Sequence, residues 1–244
     1  MDWDNDGKKD LIVGDGLSNV YLFLNNSDSD DPVFNSRILL IAKNELAGAE
    51  RVTPVSDDWN NDGNKDILAG GMDGKIKIYI NKDTDSEPLF DDYILLQLGS
   101  DVFDIGSRSA PRVYDFNNDG LKDILVGEVL GYVYLLKNVG TISNPVFDRA
   151  DKLFLKTGDA LKYPGKAPRS RIDITDWNND GLDDIIVGGE DGRVMLFIAS
   201  QDTSVSLATT LNRAKVRTIE SLIKIKNQSK VFLKSMRNSI PGRT

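Results

Sequence analysis

The chain has 244 residues, a formal net charge of −8 and neither cysteine nor histidine. This length allows one or two domains with a substantial core, and the acidic balance argues against a nucleic-acid-binding protein. Without cysteine or histidine the chain offers no disulfide and no thiolate or imidazole ligand for a soft metal. It also contains no apolar run long enough to span a membrane and no recognisable N-terminal signal peptide.

A nine-residue acidic loop occurs four times, beginning at Asp2, Asp58, Asp115 and Asp176 and hence at intervals of 56, 57 and 61 residues. Such a period indicates a repeat architecture. Each copy has acidic or amide side chains at positions 1, 3, 5 and 9 and a glycine at position 6, where a positive φ lets the chain turn. Turn chemistry alone favours Asp, Asn and Gly, but it does not explain why all four positions recur in all four copies.

These side chains provide the hard oxygen ligands that Ca²⁺ prefers, and position 7 adds a backbone carbonyl whatever its side chain. We therefore predict about one Ca²⁺ per loop, three or four in all. The predicted ligands of the first two loops are Asp2, Asp4, Asp6, Lys8 and Asp10, then Asp58, Asn60, Asp62, Asn64 and Asp66. Those of the last two loops are Asp115, Asn117, Asp119, Leu121 and Asp123, then Asp176, Asn178, Asp180, Leu182 and Asp184.

The loop is not an EF-hand, because an EF-hand needs a bidentate carboxylate at position 12. Position 12 here is Val13, Ala69, Val126 or Val187. Each lies in a short apolar run that ends at glycine, at residues 10–14, 66–70, 123–127 and 184–188. Such a run predicts a buried strand, so the loop should connect two strands.

Further strands are predicted in phase with the loop. Alternating strands follow at residues 19–25, 75–81, 132–137 and 193–198. In the second of these, Ile76, Ile78 and Ile80 share one face, as in a half-buried strand. A Pro-[Val/Leu]-Phe-[Asn/Asp] segment then precedes an outer strand at 37–42, 93–98 and 153–156, and the strand entering the next loop falls near 51–57, 111–114 and 171–175. Four strands per unit is the plan of a propeller blade.

Aromatic residues recur with the same period. At loop position 2 they are Trp3, Trp59, Phe116 and Trp177, which we interpret as packing between neighbouring units; the alternative is a ring of sugar-stacking platforms. The phenylalanines of the Pro-x-Phe segments, Phe34, Phe90 and Phe147, are predicted core residues.

An arginine stands seven residues before three of the loops, at Arg51, Arg108 and Arg169. If each arginine begins an innermost strand, the three guanidinium groups would surround the channel mouth and bind an anionic ligand through bidentate contacts. The competing interpretation is solvated surface arginines.

The repeats resemble the calcium loop of FG-GAP and VCBS-type repeats, in the bacterial form. The motif Asp-x-[Asp/Asn]-x-Asp-Gly-x-x-Asp-[Ile/Leu]-x-[Val/Ala]-Gly carries this resemblance over about residues 1–200, although the literal Phe-Gly…Gly-Ala-Pro signature is absent. The resemblance implies an all-β fold, a β-propeller of four-stranded blades with one Ca²⁺ per loop. It implies no single ligand or activity.

We expect repeat units near 1–50, 51–107, 108–168 and 169–200, followed by a basic tail at 201–244. The first unit lacks its entering strand, which favours a piece of a larger propeller; alternatively, the tail supplies missing strands and closes a four-bladed ring. From residue 212 onward the tail has nine basic residues and one acidic residue. Its apolar spacing fits an amphipathic helix only roughly, and we expect it to dock on the acidic repeats.

Three functions are compatible with the sequence. The leading expectation is an extracellular or cell-surface module that binds a glycan or a protein partner on a propeller face. A polysaccharide-degrading lyase or hydrolase is the second, with Lys162 and Tyr163 in the long insertion at 159–170 as the candidate bases. The third is a structural repeat without a ligand. Oligomeric state is left open.

Overall fold

The computed structural model describes residues 1–29, 31–41, 51–155, 158–164 and 169–199, together with the backbone of 214–216. In this part of the chain the fold is all-β and contains no helix. The strands of the first half are β1 Leu11–Gly14, β2 Val20–Phe23, β3 Ile38–Ile41, β4 Thr53–Asp57, β5 Asp66–Gly70, β6 Ile76–Tyr79, β7 Tyr93–Leu95, β8 Gln97–Leu98 and β9 Asp101–Val102. Those of the second half are β10 Ala110–Tyr114, β11 Asp123–Gly127, β12 Val133–Leu136, β13 Asp151–Lys152, β14 Arg171–Thr175, β15 Asp184–Gly188, β16 Val194–Ala199 and β17 Ala214–Val216.

The strands form four meandering antiparallel sheets of the kind that make the blades of a β-propeller. Their orders are β1-β2-β3, β4-β5-β6-β7, β10-β11-β12-β13 and β14-β15-β16-β17, and we name them blades 1 to 4. A small hairpin, β8 with β9, accompanies blade 2. The first strands of blades 2, 3 and 4 lie side by side as the inner strands, and β1 packs against β4. The predicted fold class is therefore confirmed.

The predicted strands agree with the observed ones in order, with one shift. In blade 3 the outer strand was predicted at 153–156, but β13 is formed by Asp151 and Lys152. The reason is the insertion that follows, which folds back on this segment. The Leu161 N–H donates to the Leu153 carbonyl at 2.7 Å, and the Leu155 N–H donates to the Asp159 carbonyl at 2.7 Å.

The fourth blade takes its outer strand from the basic tail. β17 pairs with β16 in antiparallel register, with Lys215 opposite Ile198. At residues 214–216 the tail is therefore a strand, and the helical interpretation is wrong there, since the free edge of β16 offers backbone partners. The rest of 201–244 lies outside the described residues, as does the expected docking of the tail on the repeats.

Three apolar cores lie between successive blades, so the middle strands β5, β6, β11 and β12 are covered on both faces. Trp59 of blade 2 packs with Ile124 and Phe147 of blade 3, while equivalent clusters join blade 1 to blade 2 and blade 3 to blade 4. As a result β6 is buried at all four positions. The expectation of a half-buried strand is wrong, because Tyr79 faces the preceding blade while Ile76 and Ile78 face the following one.

Among the residues described, no helix is long and apolar enough to cross a membrane.

Candidate metal and ligand sites

The four acidic loops adopt one conformation. Position 4 is always an asparagine with left-handed φ, between 56 and 60° at Asn5, Asn61, Asn118 and Asn179. The glycine N–H at position 6 donates to the carboxylate of position 1 at 2.8–3.0 Å in every copy. The N–H of position 7 donates to the carboxylate of position 5 at 2.8–3.0 Å. These bonds gather the oxygen atoms of positions 1, 3 and 5 within one turn of chain.

The aspartate at position 9 is the buried member of the set, with Asp10 7% exposed and Asp66, Asp123 and Asp184 fully buried. One carboxylate oxygen accepts the N–H of position 2, as in Asp66 with Trp59 at 2.8 Å. The other accepts a backbone N–H fifteen residues along the chain, at 2.8 Å in all four copies. This residue therefore ties the loop to the end of the second strand that follows it.

Burial acts against the charge of this aspartate. Desolvation raises the pKa of Asp66 to about 6 although its oxygens accept three backbone N–H groups, and burial likewise raises the pKa of Asp123. A buried carboxylate whose anionic form is penalised is stabilised by a nearby cation. The chemistry of position 9 thus fits a metal ligand that is also a structural tie.

The first loop contains the clearest metal-ligating cluster. Oxygens of Asp2, Asp4 and Asp10 lie within 4.8 Å of one another, a cluster of three acidic groups found among the described residues. The Asp2 Oδ1 atom is buried and has no hydrogen-bond partner. In the other loops the equivalent oxygen accepts the N–H of position 5 at 2.9–3.1 Å. Because an unsatisfied buried carboxylate oxygen is costly, this arrangement fits a hard cation.

The other three loops reduce their own repulsion with an amide. The Nδ2 atom of Asn60 donates to the Asp62 carboxylate at 2.7 Å, and the same bond occurs at 2.6 and 2.8 Å in loops three and four. In the first loop, where position 3 is Asp4, the Lys8 amine lies 3.3 Å from Asp6 and 3.6 Å from Asp28. In each loop, an amide donor or a lysine amine therefore offsets part of the repulsion between the carboxylates.

A second asparagine set completes the loops and was missed by sequence reasoning. The side-chain oxygens of Asn25, Asn81 and Asn138 each accept two backbone N–H groups of the segment that follows, for instance Asp83 and Leu89 for Asn81. The backbone N–H groups of the same three asparagines donate to the carboxylates of the position 9 aspartates. The available signal was an asparagine at the end of three alternating strands; blade 4 has Ala199 there.

The three predicted arginines lie at the opposite end of the blades. Each stands two residues before an inner strand, and each has left-handed φ, at 56° for Arg51, 58° for Arg108 and 37° for Arg169. Arg169 forms an ion pair with Glu190. Desolvation, and then the charges of Arg169 and Arg51, lower the pKa of Arg108.

The aromatic and phenylalanine predictions divide along the array. Trp3 and Trp59 are buried between blades, and Phe116 packs at the next interface, as predicted. Trp177 differs: it is 53% exposed, because no further described blade packs on it. Phe90 and Phe147 are core residues, but Phe34 is 37% exposed, so the core prediction is wrong for the first blade.

Both candidate bases contact neighbouring residues of the fold. Tyr163 is buried, and its hydroxyl donates to the Asp191 carboxylate beside the Arg193 carbonyl. Burial and that carboxylate raise the pKa of Tyr163, so the phenol stays protonated at neutral pH. The Lys162 amine lies 4.6 Å from the centre of the Tyr132 ring. Both residues are thus engaged in packing the insertion against its neighbours.

Comparison with known families supports the repeat architecture. Residues 58–126 match the family described as FG-GAP-like repeat. The matched segment begins at the first residue of the second acidic loop and ends within β11, one full repeat later. A search of curated proteins found no match.

Proposed function

The chain carries an FG-GAP-like repeat, and from this premise we propose that it is a calcium-stabilised β-propeller module that binds a glycan or protein partner outside the cell. The observation that carries this proposal is the acidic loop, held in one conformation four times with its oxygens gathered in one turn. The buried and unpartnered Asp2 Oδ1 supports the same chemistry.

Calcium would contribute to folding rather than to a reaction. Positions 1, 3, 5 and 9 and the carbonyl of position 7 would hold the ion, and the ion would neutralise carboxylates that otherwise repel one another. Because position 9 also ties the loop to the next strand pair, metal binding and blade stability should be coupled. Extracellular calcium modules bind at about 10⁻⁴–10⁻³ M, which favours a compartment where calcium is abundant.

The binding role rests on the rigidity of the blades. Stacked antiparallel sheets present loops at both ends of a fixed scaffold, and such loops commonly carry recognition. Within the long insertion, Tyr163 and Lys162 are engaged in contacts with neighbouring residues, which favours recognition over catalysis.

Thermal unfolding in EDTA, in Mg²⁺ and in increasing Ca²⁺ tests the metal part of this proposal. At about 10 mM Ca²⁺, each occupied site should stabilise the fold by about 1.4–2.7 kcal/mol, if its affinity is that of extracellular modules. Mg²⁺ should do much less, because it requires near-ideal octahedral geometry.

Two variants sharpen the test. Asp58→Asn with Asp62→Asn should remove the calcium-dependent increment of the second loop and lower the bound stoichiometry by one ion. Asp101→Asn, an exposed aspartate on β9, serves as the control and should leave both unchanged. Equal melting temperatures in EDTA and Ca²⁺, with no bound ion, would reject calcium stabilisation.

A further inference from the structure

A group of arginines, Arg51, Arg108, Arg169 and Arg171, gathers at the end of the blades opposite the acidic loops; we name it the arginine cluster. The first three precede β4, β10 and β14 by two residues, and Arg171 begins β14. These three inner strands are successive neighbours. Because each acidic loop follows the other end of its inner strand, the arginine cluster and the acidic loops occupy opposite ends of the same strands.

The backbone at three of these arginines is strained. Left-handed φ disfavours any residue with a β-carbon and is neutral for glycine. The chain nevertheless has arginine with this φ at the same point of three blades. Such outliers persist when surrounding structure fixes them, and they concentrate at functional sites.

Hydrogen bonds to the preceding blade fix the backbone at two of these arginines, Arg108 and Arg169. The Arg108 N–H donates to the Met72 carbonyl of the preceding blade at 3.4 Å, and the Arg169 N–H donates to the Val129 carbonyl at 3.3 Å. The residue after each of these two arginines is a buried serine whose hydroxyl also bonds to the preceding blade, as Ser109 does with the Gly71 N–H at 3.0 Å. The position from which the Arg108 and Arg169 side chains extend is thereby set by the contact between blades.

Counting only the described residues, the cluster has more positive than negative charge. Glu190 forms an ion pair with Arg169, and its negative charge also favours the charged form of Arg108. In the part of the chain that the structure describes, neither Arg51 nor Arg108 forms an ion pair. Desolvation and the charges of Arg108 and Arg169 lower the pKa of Arg171 as well. Among the described residues, the one ion pair of the cluster is that of Arg169 with Glu190. An added anion would relieve the repulsion that Arg108 and Arg171 experience from the neighbouring guanidinium groups.

We propose that the arginine cluster is the ligand site of the module and binds an oxyanion: a carboxylate, sulfate or phosphate group carried by the ligand. The guanidinium group presents paired donors that match such oxygens in bidentate contacts, and it remains charged at neutral pH. This inference rests on the proposed binding function and adds to it the face of the molecule and the chemistry of the ligand.

Titration calorimetry on the calcium-saturated chain at low ionic strength tests the site, with sodium sulfate and sodium acetate as probes. Arg108→Gly is the decisive variant, because glycine removes the guanidinium and also relieves the strained φ. We expect Arg108→Gly to weaken binding of the better probe by about tenfold or more, while its unfolding temperature is unchanged or higher. A merely structural arginine would not produce that combination.

Arg112→Gln is the matched control. Arg112 lies on the same inner strand, β10, but pairs with Asp173 at 2.7 Å, so its variant should retain the affinity of the parent chain. Tighter binding of sulfate assigns the site to tetrahedral oxyanions, and tighter binding of acetate assigns it to carboxylates. The proposal is overturned if neither probe binds, or if Arg108→Gly binds as tightly as the parent.

The two proposals fail separately. Arg108→Gly should keep the full calcium-dependent rise in unfolding temperature, because the acidic loops lie at the other end of the blades. Arginine-dependent sulfate or acetate binding without any calcium stabilisation would reject the calcium module and leave the arginine cluster standing. Calcium stabilisation without anion binding would reject the arginine cluster as a ligand site and leave the calcium module standing.

Discussion

A single glycine at the end of the strand that follows the acidic loop decides how closely two blades approach. A β-carbon on Gly14, Gly70 or Gly127 would lie 2.1–2.4 Å from a carbonyl oxygen of the next blade. The contacted carbonyls belong to the residues directly after the three strained arginines, Val52, Ser109 and Ser170. At Gly188 the nearest atom is the Arg171 carbonyl oxygen at 3.9 Å, so the fourth copy has no such restriction.

We therefore expect Gly70→Ala and Gly188→Ala to differ although they change the same motif position. Gly70→Ala must push the third blade away and should lower the free energy of unfolding by about 1–3 kcal/mol. Gly188→Ala should be neutral or slightly stabilising, since alanine reduces the freedom of the unfolded chain. Urea unfolding of both variants in Ca²⁺ measures the difference; similar losses would show that blade contact is not the reason for the glycine.

At this scale the sequence indicated the repeated residue types but not the contacts that these residues make. The repeat identified the position 9 aspartate, but its bond to a backbone N–H fifteen residues away depends on strand register. The same holds for Asn81, whose role arises from a loop closing around its side chain. Composition and spacing report the residue types of one segment, and these contacts join segments.

Among the elements, the aromatic at loop position 2 shows what an interface between blades contributes. Trp59 is 5% exposed and stacks on Phe147 of the next blade, with ring centroids 6.1 Å apart. Trp3 donates its ring N–H to the Asp85 carbonyl of blade 2 at 2.8 Å. Trp177 holds the same loop position but is 53% exposed. Packing between blades, rather than the loop itself, therefore accounts for burial of this residue.

Trp59→Ala and Trp177→Ala provide a matched pair. Trp59→Ala leaves a cavity between blades 2 and 3 and should cost about 3–5 kcal/mol of unfolding free energy. Trp177→Ala removes an exposed ring and should stay within about 0.5 kcal/mol. Chemical denaturation monitored by circular dichroism measures both. A large loss in Trp177→Ala would mean that this ring supports its own loop instead of an interface.

Strand bounds were predicted correctly where they depend on the local sequence pattern. Burial was predicted wrongly where it depends on packing against a neighbouring blade. The apolar runs ending at glycine became β5 and β11 with their predicted bounds. Burial of the second face of β6 could not be predicted, because Lys77 and Tyr79 lie on the side of the alternating sequence that is expected to be exposed. Both are buried: the Lys77 amine pairs with Asp73 at 2.8 Å, and Tyr79 packs in the core between blades 1 and 2.

Across the whole molecule, the array is most complete in its middle. All five residues of β5 and of β11 are buried, whereas β1 has an exposed first residue and partly exposed followers. Blade 1 has three strands, and the outer strand of blade 4 comes from the tail. The repeat period predicted sheets of about four strands, but the use of the tail as a strand left no periodic signal in the sequence.

This gradient predicts how the molecule opens. In a repeat array, each unit is stabilised by its own sheet and by the interfaces with its neighbours, so units with two interfaces open last. We expect backbone amides of β5 and β11 to exchange with deuterium more slowly than those of β1. The exchange rate should fall about tenfold for each 1.4 kcal/mol of extra local stability. Hydrogen exchange read by mass spectrometry in Ca²⁺ measures this.

Adding the Trp59→Ala change should then accelerate exchange in β5 and β11 together, because that ring belongs to the interface they share, and leave β15 nearly unaffected. Equal protection of β1, β5 and β11 in the parent chain would instead show that the four blades open as one cooperative unit.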